Sequence, residues 1–345
     1  MPPDLLTSAE IAAVLDKLSG AKVAVVGDFC LDAYWTVNPD ASEISIETGR
    51  KTQPVSRQRY APGGAGNVVM NLLALGVQRI VPVGVLGGDL FGSQLYHLLE
   101  HPHIVRDKLL IDPAWQTHAY IKPCVDGVES ERIDFGNFNA ITEEGANIIL
   151  ENLEAAADEV SVVLINHQVR GSVHDSEIFR RGLARLMEKH SGVCFIVDSR
   201  GYHEAYPRAV HKLNEKEVMN ASGKSLAPGT GVAQGELLEQ ARMLNERWGA
   251  PLVVTRGEKG CYVIDGKHSR QISGVPLGGN VDPVGAGDTF VSALAATSAV
   301  GVNLLASAYI SNLAAAVTAQ KILQTGTASR SEILEAGSKH SPDIA

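Results

Sequence analysis

Short apolar runs alternate with longer amphipathic segments along most of the chain. The apolar runs lie at residues 23–26, 80–85, 160–165, 193–197 and 252–255. The helix-like segments that precede the last four runs lie at residues 67–75, 142–158, 175–189 and 234–248. Continuous apolar strands separated by helices are typical of a parallel sheet covered on both faces. The pattern therefore predicts an α/β fold, doubly wound, with a mostly parallel sheet.

Two segments break this alternation. Residues 33–60 are polar and have no helical period, and residues 117–135 alternate in polarity around Asp126-Gly127. An Asp-Gly pair between alternating residues is a strong signal for a tight β-hairpin. We therefore expect residues 1–345 to form one α/β domain, with the segments at about 33–60 and 117–135 inserted in it as a small β-sheet lid.

The segment from Thr289 to Gln320 contains no Asp, Glu, Lys or Arg. Its length would suffice to cross a lipid bilayer. However, the segment is rich in Ala, Ser, Thr and Asn, and it is interrupted near Gly301. We interpret it as two helices buried in the protein core, and we expect no association with a membrane.

The composition is ordinary for a globular protein, with 45% hydrophobic and 20% charged residues. The formal net charge is −9, which disfavours nucleic acid and anionic membranes as partners. The four cysteines are far apart and form no CxxC pair, so they suit neither a zinc site nor a disulfide framework. Because Asp4 and Glu10 precede any apolar run, the N-terminus is unlike a signal peptide. Together these features predict a cytoplasmic protein.

The strongest chemical signal is the loop Gly285-Ala286-Gly287-Asp288, which opens the uncharged segment. Small residues at a helix start let several backbone N–H groups point toward one anion, and the helix dipole adds to their effect. A carboxylate at the end of such a loop can accept the proton of a hydroxyl that attacks a phosphoryl group. The alternative is an ordinary glycine-rich turn in which Asp288 only caps the helix.

This loop closely resembles the C-terminal signature of the ribokinase (PfkB) family of sugar kinases. Other blocks resemble, in the same order, the family's sugar-binding start, glycine pair with Asn, N-x-x-E pattern, nucleotide-facing loop and adenine-bordering helix. In this chain they are GDFCLD at 27–32, PGGAGN at 62–67, NEKE at 214–217, TRGEKG at 255–260 and Asn312. The resemblance extends from about Val23 to Leu334. It implies a ribokinase-like fold and transfer of phosphate from ATP to a hydroxyl of a sugar or sugar phosphate.

The resemblance also implies roles for individual residues. Asp288 would be the general base, and the backbone N–H groups of Gly285, Ala286, Gly287 and Asp288 would bind the transferring phosphoryl group. The implied acceptor-binding residues are Asp28, Asp32, Gly63, Gly64 and Asn67. Their polar side chains suit the hydroxyl groups of a sugar, and the glycine pair would lie under it.

The nucleotide and its ions are assigned in the same way. Asn214 and Glu217 would organise Mg²⁺ through water molecules, because Mg²⁺ gives up its hydration reluctantly. Nucleotide contacts are implied for Asn214, Thr255, Gly257 and Asn312. A monovalent cation near residues 282–284 is a family feature that this sequence permits.

Within the family, the chain looks most like the heptose 7-phosphate kinases of ADP-heptose synthesis. The matching blocks are GDFCLDAYW at residues 27–35 and GTAS followed by EIL at residues 326–334. The chain departs from that branch at residues 45–52, where a Pro-rich stretch is expected, and at Asn166-His167, where an Asp-Tyr pair is expected. Both departures fall where the sugar would bind. A nucleoside or other small-molecule kinase and a non-catalytic sugar- or nucleotide-binding protein are therefore alternatives.

Three further expectations concern partners and competing functions. Lids of this family often pair two subunits, so we expect a homodimer. No segment resembles a nucleotidyltransferase, so we expect no fused second activity. No G-x-G-x-x-G fingerprint follows an apolar run, which disfavours a dinucleotide-dependent dehydrogenase.

Overall fold

The computed structural model describes residues 6–224, 231–321 and 326–340. The strands are β1 (Lys22–Gly27), β2 (Phe29–Val37), β3 (Val55–Gly64), β4 (Arg79–Gly87), β5 (Leu109–Asp112), β6 (His118–Val125), β7 (Val128–Glu129), β8 (Ile133–Phe135), β9 (Val162–His167), β10 (Cys194–Ser199), β11 (Val210–Asn214), β12 (Leu252–Thr255), β13 (Cys261–Asp265) and β14 (His268–Ile272). The helices are α1 (Ser8–Lys17), α2 (Ala65–Ala74), α3 (Leu90–Leu98), α4 (Glu143–Ala157), α5 (Glu177–Lys189), α6 (Glu215–Ala221), α7 (Gln234–Trp248), α8 (Ala286–Ala299), α9 (Leu304–Ala319) and α10 (Arg330–His340).

The large sheet has the strand order β14-β13-β12-β11-β10-β9-β1-β4-β5. The strands from β12 to β5 run parallel, while β13 and β14 are antiparallel additions at one edge. The parallel strands are the apolar runs of the sequence, so the expectation of a mostly parallel α/β sheet is confirmed. The edge hairpin β13–β14 was not expected, although β13 contains the short apolar run at residues 261–264.

Alternate residues of each central strand point to opposite faces of the sheet, and both faces are covered. In β1, Val23 and Val25 pack with α1, α2, α8 and α9, whereas Ala24 and Val26 pack with α4 and α5. All four side chains are completely buried. Helices α6 and α7 pack on the part of the sheet formed by β11, β12 and β13. The sheet is therefore doubly wound, as its uninterrupted apolar strands predict.

The uncharged segment forms α8 and α9, two core helices, as expected. Its hydroxyl side chains bond to carbonyls of the preceding helical turn, for example Ser292 to Asp288, Thr297 to Ala293 and Ser311 to Ser307, each at 2.7 Å. Such bonds satisfy polar groups inside the protein without introducing charge. Across the described ranges, no helix combines the length and the hydropathy that crossing a bilayer requires.

The second sheet has the order β3-β2-β6-β7, with β8 paired to β6. The segments at 33–60 and 117–135 contribute its strands, but β2 begins earlier, at Phe29, and β3 continues to Gly64. Asp126 (φ 51°) and Gly127 (φ 80°) form the hairpin between β6 and β7 that their sequence predicts. We call this sheet the lid. Because β2 follows β1 directly and β3 leads into α2, the lid is joined closely to the main sheet.

Candidate active site

The inner face of the lid and the carboxyl ends of β10 and β11 enclose a cavity of about 630 Å³, which we call the central cavity. Ligands of open α/β sheets bind at this edge, outside the carboxyl ends of the strands. Eight of the predicted site residues line it, namely Asp32, Gly63, Gly64, Asn214, Glu217, Gly285, Gly287 and Asp288. The structure thus brings together the predicted base, the glycine pair and the predicted magnesium residues.

Helix α8 begins at the cavity wall. Gly285 precedes it in a left-handed conformation (φ 80°), which glycine adopts without strain. The N–H group of Ala286 donates to the carbonyl of Pro283 (3.1 Å). The N–H groups of Gly287 and Asp288 belong to the open first turn, where a helix supplies no carbonyl partners. These two groups are therefore the ones best placed to receive an anion.

The carboxylate of Asp288 is held by an amide from α2. Asn67 Nδ2 donates a hydrogen bond of 2.6 Å to Asp288 Oδ2. Burial raises the pKa of Asp288 to about 6, while the Asn67 bond and the Lys212 ammonium act in the opposite direction. A carboxylate with a pKa near 6 is largely ionised at neutral pH and is still basic enough to accept a proton.

Asn67 is itself fixed by a chain of buried polar groups between α2, α8 and α9. Asn71 Nδ2 donates to Asn67 Oδ1 (3.2 Å), and Asn71 Oδ1 accepts from the Thr289 hydroxyl (2.7 Å). The hydroxyls of Thr289 and Thr318 are hydrogen bonded at 2.9 Å. Buried polar networks that are satisfied in this way fix one arrangement of their side chains. The position of Asp288 is therefore set from the core of the protein.

A lysine–aspartate pair lies below the N-terminus of α8. Asp198 on β10 and Lys212 on β11 are register neighbours, and Lys212 Nζ is 3.1 Å from Asp198 Oδ1. Burial opposes the charge of Lys212, but the nearby carboxylates of Asp198, Glu217 and Asp288 outweigh it and raise the pKa of Lys212. A Cβ atom built on Gly287 would lie 3.5 Å from this ammonium. A permanent positive charge therefore lies beside the first turn of α8.

Asp32 projects from β2 of the lid and is paired with Lys122 of β6, whose Nζ lies 2.9 Å from Asp32 Oδ1. The glycine pair allows the neighbouring strand to approach closely. A Cβ atom on Gly63 would lie 3.1 Å from Asp32 Oδ2, and one on Gly64 (φ 54°) would lie 2.4 Å from the Asp28 carbonyl. A side chain at Gly63 would therefore crowd the Asp32 carboxylate within the lid, and one at Gly64 would collide with the backbone between β1 and β2.

Asp28 does not line the central cavity. Its carboxylate accepts the backbone N–H groups of Gln168 (2.8 Å) and Val169 (3.3 Å) and the hydroxyl of Ser172 (2.5 Å). Burial raises the pKa of Asp28 to about 6, although these three hydrogen bonds favour the ionised form. Its contacts therefore connect the end of β1 to the loop that follows β9.

A second cavity of about 680 Å³ adjoins the central cavity and shares with it Tyr120, Arg132, Gln168, Val169 and Arg200. We call Arg132, Arg170 and Arg200, which all line it, the arginine arm. Arg132 lies over the ring of Tyr120 (4.6 Å) and forms two hydrogen bonds with Asp134 (2.6 and 2.8 Å). His167 also lines this cavity, and its Nδ1 is hydrogen bonded to the Ser199 hydroxyl at 2.9 Å.

Asn214 and Glu217 form a reciprocal cap at the start of α6. Asn214 Oδ1 accepts the N–H group of Glu217 (2.9 Å), and Glu217 Oε2 accepts the N–H group of Asn214 (2.8 Å). Burial raises the pKa of Glu217, while Lys212 acts against this shift. In the described ranges, no three His, Cys, Asp or Glu side chains converge into a metal cluster.

The other predicted nucleotide residues lie outside the central cavity. Thr255 pairs with Asn214 across β11 and β12, and Gly257 (φ 57°) follows in the next loop. Asn312 on α9 is buried and donates to the carbonyl of Ser273 (2.9 Å). Thr255 and Gly257 lie at the carboxyl end of β12, and Asn312 lies on α9. The structure does not place these three residues around one enclosed volume with Asp288.

Comparison of the chain with known proteins identifies a family of phosphate-transferring enzymes, in line with the geometry of the site. The model of the pfkB family carbohydrate kinases matches residues 21–330. This chain belongs to that family. The match covers the main sheet, the lid and the loop that carries Asp288, so the expected family and its phosphotransferase class are confirmed.

Curated relatives of this kinase include bifunctional proteins named HldE. The one from Shewanella baltica (strain OS195) is 31% identical over 334 residues, and the one from Shewanella putrefaciens is 31% identical over 339 residues. Each alignment covers 94% of this chain and 65% of the relative. The chain thus spans just under two thirds of the length of these relatives.

Solved structures with the same fold include two sugar kinases. Arabidopsis thaliana ribokinase, solved with ribose and ATP, superposes with a TM-score of 0.67 at 20% identity, covering 92% of this chain and 98% of that chain. Phosphofructokinase-2 from Escherichia coli, solved with fructose-6-phosphate, gives a TM-score of 0.69 at 18% identity, covering 92% and 99%. The expected ribokinase-like fold is confirmed.

Sequence reasoning missed several polar residues of the site, namely Asn71, Lys122, Gln168, Asp198, Arg200 and Lys212. One signal could have found two of them. Asp198 directly follows an apolar run, and Lys212 is an isolated charge in the short strand before Asn214. Charged residues at the carboxyl ends of neighbouring parallel strands share one edge of the sheet. Lys122 and Gln168 join the site through the lid and the loop after β9, while Asn71 on α2 and Arg200 after β10 are recognised only from their contacts in the fold.

Proposed function

We propose that this kinase transfers the γ-phosphoryl group of ATP to a hydroxyl of a phosphorylated sugar, with Asp288 as general base. One observation carries the proposal. The Asp288 carboxylate, with a pKa of about 6, lies at the open first turn of α8, is hydrogen bonded to Asn67 at 2.6 Å and borders the central cavity. This arrangement combines a proton acceptor and an anion-binding helix end in one place.

The residues of the chain divide the reaction between them. Asp288 accepts the proton of the attacking hydroxyl, and Asn67 keeps its carboxylate oriented. The backbone N–H groups of Gly287 and Asp288 stabilise the charge of the transferring group, and Lys212 adds a fixed positive charge beside them. Phosphoryl transfer depends mainly on such positioning and charge stabilisation. Asp32 accepts hydrogen bonds from acceptor hydroxyls while Lys122 holds it in place.

Two ions complete the proposal. The carboxylate of Glu217 and the amide of Asn214 fit Mg²⁺ held through water molecules, because Mg²⁺ keeps most of its hydration and needs few protein ligands. Bound there, Mg²⁺ would neutralise phosphate charge.

Phosphofructokinase-2 from Escherichia coli was solved with potassium. We extend this to a monovalent cation near Asp282 and Val284, where the Val284 N–H group donates to Asp282 Oδ1 (3.1 Å). Thr255, Gly257 and Asn312 would contact the nucleotide.

A heptose 7-phosphate is the acceptor that we favour. The arginine arm lines the cavity of about 680 Å³ that adjoins the central cavity, together with the carboxylates of Asp134 and Asp175. Arg132 is paired with Asp134, and the lining keeps a net positive charge that suits a phosphate remote from the reacting hydroxyl. The opening and closing sequence blocks resemble the heptose-phosphate branch, and the match to the HldE proteins supports the same choice.

We further propose a homodimer formed through the lids. Large apolar side chains are exposed there, among them Ile46 (98% exposed) in the loop between β2 and β3 and Val128 (70% exposed) on β7. Covering such side chains with a second copy would remove apolar surface from water. Light scattering of the purified chain should give twice the mass of one chain. A single-chain mass at micromolar concentration would contradict this.

The deciding experiment measures ADP release from MgATP with heptose 7-phosphate, other sugar phosphates, free sugars and nucleosides. Replacing Asp288→Asn keeps the size of the side chain but removes the base, so kcat should fall by about 10²- to 10⁴-fold. For the wild-type protein, kcat should decline as the pH drops below about 6, because Asp288 becomes protonated.

The outcomes separate the possible functions. Turnover of a sugar phosphate that depends on Asp288 supports the proposal. Turnover that survives Asp288→Asn shows that the base is another group. ATP binding without turnover of any acceptor favours a non-catalytic binding protein, and preferred turnover of a nucleoside would reject the sugar-phosphate assignment.

A further inference from the structure

The loop after β9, residues 168–172, forms part of the wall of both cavities, and its backbone is held from several sides. We call it the acceptor loop. Asp28 holds Gln168, Val169 and Ser172 through the three hydrogen bonds described above. His118 Nε2 donates to the carbonyl of Arg170 (3.0 Å). A Cβ atom on Gly171 (φ 69°) would lie 2.6 Å from the Gly136 carbonyl, so the loop also packs closely on the chain after β8.

The side chain of Gln168 connects two charged groups of the site. Its Oε1 accepts a hydrogen bond from Arg200 Nε (3.2 Å), and its Nε2 donates to Asp198 Oδ2 (3.3 Å). Asp198 is the partner of Lys212 in the charged pair below α8. Gln168 thus links the arginine arm to the centre where phosphoryl transfer is proposed, and it lines both cavities.

A glutamine is chemically suited to this position. An amide both accepts and donates, so it can satisfy a guanidinium on one side and a carboxylate on the other. A glutamate would place a second negative charge against the buried Asp198, and an apolar side chain would satisfy neither group. The backbone contacts of the acceptor loop keep the Gln168 amide between these two partners.

We propose that Gln168 is a positioning residue for acceptor recognition, which presets the Arg200 guanidinium to bind an anionic phosphate on the acceptor. Arg200 is exposed, and a free arginine side chain loses much rotamer freedom when it binds a ligand. A hydrogen bond that holds it beforehand reduces this loss. Donation through Nε leaves the terminal nitrogens of Arg200 available for phosphate oxygens. The inference rests on the proposed function, because it requires a phosphorylated acceptor.

The test is a double-mutant cycle on steady-state kinetics with Gln168→Leu, Arg200→Ala and both changes together. The acceptor is heptose 7-phosphate or, if another sugar phosphate gives faster turnover in the panel, that compound. Gln168→Leu should raise the acceptor KM about 10-fold, in line with losing a hydrogen bond to a charged group. The KM for ATP should stay within about twofold, and kcat should change less than the acceptor KM, since Asp198 loses one hydrogen bond but keeps its Lys212 partner.

The cycle also reports whether Gln168 acts through Arg200. In the Arg200→Ala background, Gln168→Leu should have little further effect on the acceptor KM, because coupled residues do not contribute independently. Gln116→Leu is the matched control, since Gln116 is an exposed glutamine outside both cavities. Thermal unfolding of each variant identifies those that fail to fold, and Gln168→Asn, which is too short to span both partners, then replaces Gln168→Leu.

Each outcome has a distinct meaning. If Arg200→Ala raises the acceptor KM but Gln168→Leu does not, Gln168 is not a positioning residue. The same conclusion follows if the acceptor KM of the double variant rises by the product of the two single increases. If Gln168→Leu lowers kcat and raises both KM values together, its role is general and the inference is wrong. If Arg200→Ala leaves the acceptor KM unchanged, or only unphosphorylated acceptors are turned over, phosphate recognition itself fails and the proposed function must be revised with it.

Discussion

The two sides of the central cavity are built in different ways. On the transfer side, Asp288 with Asn67 and Asp198 with Lys212 form two hydrogen-bonded pairs on regular helices and strands, and three of these four residues are buried. On the acceptor side, the arginine arm projects from the lid and from loops, and Arg132, Arg170 and Arg200 are exposed. The transfer side is fixed by the packing of the core, whereas the acceptor side is fixed by a few side-chain contacts.

This difference indicates where the chemistry and the specificity of the kinase are encoded. A group that must meet a phosphoryl group within a fraction of an ångström benefits from being mounted on core elements. Long cationic side chains on loops can be exchanged without disturbing the sheet. Changes on the transfer side should therefore lower kcat, and changes on the acceptor side should raise the acceptor KM.

The largest effect should follow from Lys212→Met on the transfer side. Removing the ammonium beside the first turn of α8 takes away charge that stabilises the transition state, so kcat should fall by about 100-fold or more. Steady-state kinetics with saturating acceptor would measure this loss. The change also leaves the buried Asp198 without its partner, so the melting temperature should drop as well.

Two further variants make that result interpretable. Lys212→Arg keeps the charge and should be folded and partly active, while Lys189→Met changes an exposed lysine on α5 and should behave like the wild-type protein. Wild-type kcat in a folded Lys212→Met protein would show that the two sides of the cavity do not differ as described.

A smaller effect should follow from Lys122→Met on the acceptor side. The ion pair of Lys122 with Asp32 at 2.9 Å is lost, so Asp32 is no longer held toward the acceptor. The acceptor KM should rise about 10-fold, the magnitude of one lost charged hydrogen bond, with kcat and the KM for ATP nearly unchanged. Lys122→Arg should restore part of the affinity. A large fall in kcat with an unchanged acceptor KM would contradict the assignment of Lys122.

The last expected effect concerns stability rather than activity, and it acts on two sets of buried groups with opposite signs. Burial lowers the pKa of His167 and His211 to about 4 and that of His203 to about 3. The neutral histidines contribute to the stability of the folded state. This contribution is fully present above pH 6.5, the ordinary pKa of histidine, and it is lost as the pH falls from there toward the lowered pKa values. Burial raises the pKa of Asp28 and Asp288 to about 6, so their protonation between pH 6 and 3.8 favours the folded state.

Burial also lowers the pKa of His118 and His174 and raises that of Glu217, so five histidines act against three acids and mild acid should destabilise the protein on balance. Between pH 7 and pH 5 the free energy of unfolding should fall by roughly 2–4 kcal/mol. Urea denaturation at several pH values measures this change. Stability that is constant or that rises over this interval would show that the histidines are not the dominant buried groups.

The fold could be predicted well where the pattern was long and periodic. Residues 234–248 and 252–255 were expected as a helix and a strand and form α7 and β12 with those bounds. The edge hairpin β13–β14 was missed although β13 is apolar and Asp265-Gly266 is a turn signal, because β14 with His268 and Arg270 is polar and does not resemble a strand of the core. The lid was recognised by its lack of a helical period, but the start of β2 at Phe29 was not, since β1 and β2 form one nearly continuous apolar stretch.

The candidate site was predictable only where chemistry was concentrated in short motifs. Residues 285–288 predict a helix start that ends in a carboxylate and can bind an anion, so their position at the cavity could be expected. Nothing in the sequence around Gln168 indicates that its amide lies between Arg200 and Asp198, because that contact joins the loop after β9 to the end of β10, two segments about 30 residues apart in the chain. Asp28 was expected to contact the acceptor, but its carboxylate is occupied by the acceptor loop, and a direct role stays a prediction.

Helix α8 carries Asp288 and lies in the core, where Phe290, Val291 and Leu294 are buried against the sheet and against α2 and α9. The helix therefore has no independent hinge, and its amide protons beyond the open first turn should exchange with solvent only when the whole domain opens. The lid lacks that constraint on its outer strands β7 and β8, which are exposed. Any closure around the reactants must then bring the acceptor to the base, because the base cannot travel to the acceptor.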